Sequence, residues 1–95
     1  TGFDYATMSI PDGAAAQAEQ CFRNIEKALA EAGATLADVV RVHYIVPARE
    51  DFHAAMPVLA RFMGPVRPAA TMICAGLLDE RMRIEIEVTA RLQRG

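Results

Sequence analysis

Few side chains in this 95-residue chain have both the type and the spacing for covalent chemistry. Its histidines, His43 and His53, have no cysteine or second histidine at metal-ligand spacing, so no metal site is expected. Each reads as a packed or surface residue before it reads as a base. Cys21 and Cys74 match no C-x-x-C pattern and read as two buried thiols. Ser9, the only serine, precedes the Pro11 turn with neither histidine near it in sequence, which removes the usual activated hydroxyl. No nucleophile elbow, P-loop or H-E-x-x-H helix occurs, and no cofactor is called for. What remains is a pair of carboxylates and an arginine.

Glu85 and Glu87 are two residues apart in an alternating run, so they share one face of a strand with Arg83. Two readings stand open. Each carboxylate pairs with an arginine or a backbone N–H across a subunit interface and sets its register, or Glu85 lines a partly desolvated intersubunit pocket and orients or deprotonates a water. Arg67 opens Arg67-Pro68-Ala69-Ala70-Thr71 at a strand mouth, where a guanidinium suits two-point capture of a carboxylate and the Thr71 hydroxyl can add a bond. A plain surface arginine fits the same position. Arg61, Arg81, Arg91 and Arg94 are scattered without interleaved aromatics, which argues against base stacking on RNA.

The elements that must position these groups follow from periodicity. Ala18, Cys21, Phe22, Ile25, Leu29 and Ala32 recur at three- and four-residue spacing, predicting a helix over 14–32 with Asp12 as its N-cap and Gly33 beyond its end. Glu19, Arg23, Glu26, Lys27 and Glu31 form its solvated face. Residues 39–46, rich in β-branched and aromatic side chains and stopped by Pro47, predict a strand. A second helix over 52–63 places Phe52, Met56, Leu59 and Met63 on one stripe, with a kink or a late regular start at Pro57. Strands are expected over 69–75 and 83–90, and a short first strand over 5–8, in the order β-α-β-α-β-β. In the last strand Ile84, Ile86, Val88 and Ala90 point one way, under the helices.

Residues 39–46 and 70–75 carry apolar side chains on both parities, whereas two helices cover only one face of a sheet. The other face is therefore expected to pack on further copies of the chain. A net charge of −2, from 10 basic and 12 acidic residues, argues against a phosphate-backbone footprint, so no nucleic acid is expected as partner. No apolar run approaches the ~20 residues that span a bilayer, and the residues from Thr1 on show neither the basic n-region nor the apolar h-region of a signal peptide. Cytoplasm is the expected compartment, and one domain over 1–95 the expected organisation.

Several segments together resemble the Rid family of reactive-intermediate (enamine/imine) deaminases, also called YjgF or endoribonuclease L-PSP proteins. They are Gln17-Ala18-Glu19-Gln20 with Asn24 and Ala32-Gly33, Asp38-Val39-Val40, Asp51-Phe52, Arg67-Pro68-Ala69-Ala70-Thr71, and Ile84-Glu85-Ile86-Glu87-Val88-Thr89-Ala90. The resemblance implies a chorismate-mutase-like α+β fold, with two helices on one face of a mixed sheet, and a homotrimer with small-molecule clefts between subunits. It also implies that an amino-terminal strand of the family is missing ahead of Thr1.

In deaminating members an arginine after Pro-Ala holds the substrate carboxylate and a glutamate of the last strand positions water. By that resemblance the glutamate is Glu85. The arginine position is Ala70, and the family cysteine two residues on is Met72, so Ala70 and Met72 are expected to give the cleft a more apolar lining. Losing a charge-assisted contact costs about 1.5–3 kcal/mol, and Arg67 would have to reach back to restore it. The expected activity is hydrolysis of a small imine or enamine, with Glu85 catalytic and Arg67, Ala70, Thr71 and Met72 at the substrate. A noncatalytic metabolite-binding trimer is the alternative. An endoribonuclease has neither a basic groove nor a histidine pair behind it.

Overall fold

The computed structural model describes residues 1–92; Arg94 and its neighbours lie outside them. Helix α1 (Ala14–Glu31) is followed by a helical turn at Leu36–Asp38, strand β1 (Val39–Val46), helix α2 (Arg49–Met63), strand β2 (Ala69–Cys74) and strand β3 (Glu85–Ala90). The sheet order is β2-β1-β3, so the β-branched run of residues 39–46 becomes the central strand. β2 pairs with it parallel, through the crossover that α2 supplies, and β3 antiparallel.

Both helices cover one face. Phe22, Ala18 and Cys21 of α1 are fully buried, as are Val42 of β1 and Ala55 of α2. The Phe22 and Phe62 rings stack at 4.6 Å between centroids and tie α1 to α2. The guanidinium groups of Arg23 and Arg61 lie 5.4 and 4.9 Å from the Phe62 ring, and Arg61 also pairs with Glu19. The α2 stripe is Phe52, Ala55, Leu59 and Met63 rather than one including Met56, which is 47% exposed.

A bulge explains why residues 39–46 do not alternate from the start. Val39 pairs with Ala90 and Arg41 with Thr89, so Val40 is the extra residue and is pushed outward. Beyond it the parity is clean: Val42, Tyr44 and Val46 are buried under the helices, while Arg41, His43 and Ile45 face the uncovered side.

The termini of α1 come out differently from each other. Gly33 takes φ 78°, and the N–H groups of Gly33 and Ala34 bond the carbonyls of Ala30 and Leu29, a left-handed end that glycine adopts without strain. At the other end Asp12 is not the cap. Gly13 takes that position at φ 90° with no side-chain bond, leaving Asp12 one residue outside. α2 begins three residues earlier than expected and runs through Pro57. The carbonyl of His53, which a proline nitrogen cannot satisfy, lies on an exposed turn where water can serve it.

Residues 5–8 form no strand. They are the turn of a tight loop closed by the single bridge between Asp4 and Ser9, with Met8 at φ 55° and the Asp4 carboxylate accepting the Ala6 N–H at 3.0 Å. The Asn24 amide holds this segment on α1, donating to the carbonyls of Thr1 and Phe3 at 3.0 and 2.8 Å. Gly2 packs so close that a Cβ there would sit 3.0 Å from Gln17 Cβ. Among the described residues, no helix is long and apolar enough to cross a membrane.

Candidate functional site

Glu85 is the first residue of β3, and its approach is fixed by a buried amide. Gln17, 1% exposed, donates from Nε2 to the carbonyls of Pro11 (3.0 Å) and Arg81 (2.8 Å) and accepts the Arg83 N–H at 2.6 Å. This sets the chain two residues before Glu85. The Glu85 side chain is 28% exposed on the uncovered face of the sheet, where Oε1 accepts from the backbone nitrogen of Thr1 at 3.0 Å. Its cross-strand neighbours in the same row are Ile45 and Ile73, the latter 44% exposed.

The next row holds a polar cluster that sequence reasoning passed over. Thr71, His43 and Glu87 lie side by side, Arg41 reaches His43 Nε2 at 2.6 Å, and Glu87 is 3.9 Å from both Arg41 and His43. Arg41 and His43 share a parity, and antiparallel pairing puts Glu87 beside them; only the register was hidden. His53 stands apart on α2, 5.6 Å from the Phe52 ring. Among the described residues no group of three His, Cys, Asp or Glu could hold a metal ion.

Arg67 lies in the loop before β2 with φ 55°, a left-handed conformation that costs a non-glycine residue about 1–2 kcal/mol. Its N–H bonds the Met63 carbonyl at 2.9 Å. The same loop turns at Gly64, where a Cβ would run into the Ala60 carbonyl oxygen. Arg67 borders a groove of about 320 Å³ between α2 and β2, walled by Val42, Leu59 and Met63 and reaching Ala70 and Tyr44. Met72, one row further along, packs on the core and borders a second cavity of about 320 Å³ with Phe52, His53 and Cys74.

The five predicted site residues therefore fall into two groups. Arg67 stands in the loop at the groove mouth, and Ala70 and Met72 lie on the helix side of β2, in register with buried Val42 and Tyr44. Thr71 and Glu85 lie on the uncovered face. β1 separates β2 from β3, so Glu85 is two strand spacings, about 10 Å, from the β2 backbone as well as on the opposite face. One subunit does not bring Glu85 and Arg67 together.

The cysteines differ from expectation. Cys21 is buried, which pushes its thiol up to about 11, but Cys74 is exposed because it ends an edge strand. Tyr44 is pushed up to about 12 by burial and stays a neutral phenol, able to donate a hydrogen bond.

Two helices laid on one face of a mixed three-stranded sheet, with the opposite face open, define an α+β class with many solved members. A RidA from an Antarctic Psychrobacter has the same fold at a TM-score of 0.87 and 32% identity, covering 96% of this chain and 74% of that one. A YjgF/YER057c/UK114 family protein of Mycobacterium tuberculosis matches at 0.81 and 37% identity, covering 86% and 70%. The family model described as Endoribonuclease L-PSP matches residues 1–92, and the chain belongs to that family. Among curated proteins, a 2-iminobutanoate/2-iminopropanoate deaminase of Dermatophagoides farinae is 31% identical over 71 residues, 75% of this chain and 56% of that protein. The chain spans about half the length of the curated relatives it matches.

Proposed function

We propose that the chain forms homotrimers and hydrolyses a small imine or enamine in clefts between subunits, with Glu85 orienting the water. The supporting observation is the division of the candidate residues between two faces: an acid on the open face and an arginine-bordered groove on the other can meet only between copies. Ile45 and Ile73 on the open face favour its burial against a second copy. The deaminase activity of the Dermatophagoides relative supplies the reaction class.

In the proposed step, Glu85 of one copy accepts a proton from water as its oxygen attacks the imine carbon. Glu85 passes that proton to the nitrogen, and the carbinolamine loses ammonia as the C–N bond breaks, its hydroxyl proton leaving with the nitrogen as the C=O bond forms. Arg67 of the neighbouring copy holds an anionic group of the substrate, Ala70 stands where the family arginine would, and Thr71 and Met72 complete the cleft. No cofactor takes part, and no nucleic acid or membrane partner is invoked. The cytoplasm is the proposed compartment.

The test is imine loss from 2-iminopropionate generated in situ, with sedimentation to report oligomeric state. Wild type should accelerate hydrolysis as a trimer, and Glu85→Gln should lower the rate about a hundredfold, the low end for a general base. An unchanged rate in Glu85→Gln overturns the mechanism. No activity until Ala70→Arg restores it would favour the second reading, a metabolite-binding trimer, for which the apolar walls of the Arg67 groove speak.

A further inference from the structure

We infer that Tyr44 is a specificity-determining residue: its hydroxyl donates, beside Arg67, to the oxygen-bearing head of a small ligand whose apolar body fills the groove between α2 and β2. This rests on the proposed reading only in taking that groove as the substrate's side of the cleft.

Tyr44 is 7% exposed, in register between Met72 and Ile86 on the helix side of the sheet, and its ring belongs to the core. Its hydroxyl bonds to none of the described residues, yet it is not among the sealed, unpartnered polar atoms, of which Asp51 Oδ2 is the one found in the described residues. Among the cavities described, the one Tyr44 lines is that bordered by Arg67 and Ala70, and the hydroxyl is the one polar atom its side chain can bring there. Burial holds the phenol neutral to about 12, so it is a donor at any working pH.

The groove's size and lining state the ligand's chemistry. About 320 Å³ is the share of roughly ten waters at ~30 Å³ each, too little for a helix or a nucleotide and enough for an acid of about ten non-hydrogen atoms. Val42, Leu59 and Met63 offer no polar partner, so the body of the ligand is aliphatic or aromatic. Tyr44 and Arg67 both line this cavity, and the hydroxyl of one and the guanidinium of the other are the donors they can turn toward a carboxylate or carbonyl head. With Ala70 leaving space where a longer side chain would fill it, the groove favours a branched or aromatic side chain over a methyl group.

Two stable 2-oxo acids test this, each carrying a carbonyl in place of the imine: pyruvate and 4-methyl-2-oxopentanoate. Binding to the full chain is measured by calorimetry, and the Tyr44 ring carbons are followed by NMR. The larger acid should bind the wild type about tenfold tighter than pyruvate and shift the Tyr44 ring resonances. Tyr44→Phe, which removes only the hydroxyl, should weaken it about five- to tenfold and raise KM for the corresponding imine more than it lowers kcat. Unchanged affinity in Tyr44→Phe, or ring resonances unmoved at saturation in the wild type, overturns the inference. Turnover with Tyr44-independent KM removes this inference and leaves the deaminase standing. Tyr44-dependent binding without turnover supports it and removes the deaminase instead.

Discussion

Replacing Gln17 by Met keeps the length, the unbranched shape and the helix preference of the side chain and removes its hydrogen bonds. Those bonds join three segments far apart in sequence: the Pro11 carbonyl, the Arg81 carbonyl and the Arg83 N–H, at 3.0, 2.8 and 2.6 Å. A typical bond contributes about 1 kcal/mol net, and a group left unpaired out of water costs about 1–3 kcal/mol. These backbone groups are part-buried, so water recovers some of the loss, and the expected total is about 3 kcal/mol. Against a usual domain stability of about 5–15 kcal/mol that is a large share. At about 4–8 °C per kcal/mol for a domain of this size, Tm should fall by about 12–24 °C. Thermal and urea unfolding followed by circular dichroism at fixed protein concentration measure the Tm and the free-energy loss. Gln17→Glu is the control: it keeps the acceptor for Arg83 but presents lone pairs to two carbonyls, so it should be at least as damaging at neutral pH and recover when acidified. A loss below about 1 kcal/mol in Gln17→Met, or a Gln17→Glu protein as stable as wild type at pH 7, would refute the reasoning.

Native labelling with a maleimide should modify Cys74 within minutes and leave Cys21 untouched until the protein unfolds, because Cys21 is buried and pushed up to about 11; mass spectrometry of the digested chain reads both sites. Two-point bonding from Arg81 holds the exposed Asp79 carboxyl down to about 2 from its ordinary 3.8. A depressed carboxyl stabilises the fold above its ordinary value and loses that contribution as pH falls through about 2. Its NMR titration midpoint should accordingly stand near 2 and return toward the ordinary value in Arg81→Gln.

Much of the fold is legible in the sequence. Residues 39–46 form a strand because the run is rich in β-branched and aromatic side chains and is stopped by Pro47, while its central place comes from pairing with β2 on one side and β3 on the other. Gly33 ends α1 because its left-handed backbone conformation is strained for other residues. Residues 5–8 make a turn although Tyr5 and Thr7 are residue types that strands favour; the Asp4 side-chain bond to Ala6 and the left-handed backbone of Met8 decide for the turn. Residue type alone would bury Cys74, but strand order, which is not written locally, leaves it exposed on an edge.

For the candidate site the division is sharper. The chemical inventory, with Glu85 on an alternating strand and Arg67 at a strand mouth, is a matter of residue identity and spacing, and the sequence alone determined it. Which of these groups share a face across strands depends on register, on the bulge at Val40 and on which strand lies in the middle. Tertiary structure alone decided that Glu85 and Arg67 stand apart within one subunit, that Arg41, His43 and Glu87 meet, and that Tyr44 borders the Arg67 groove. The physical reason is that side-chain alternation is local, repeating every two residues, whereas hydrogen-bonded pairing between strands joins residues whose separation along the chain carries no such period.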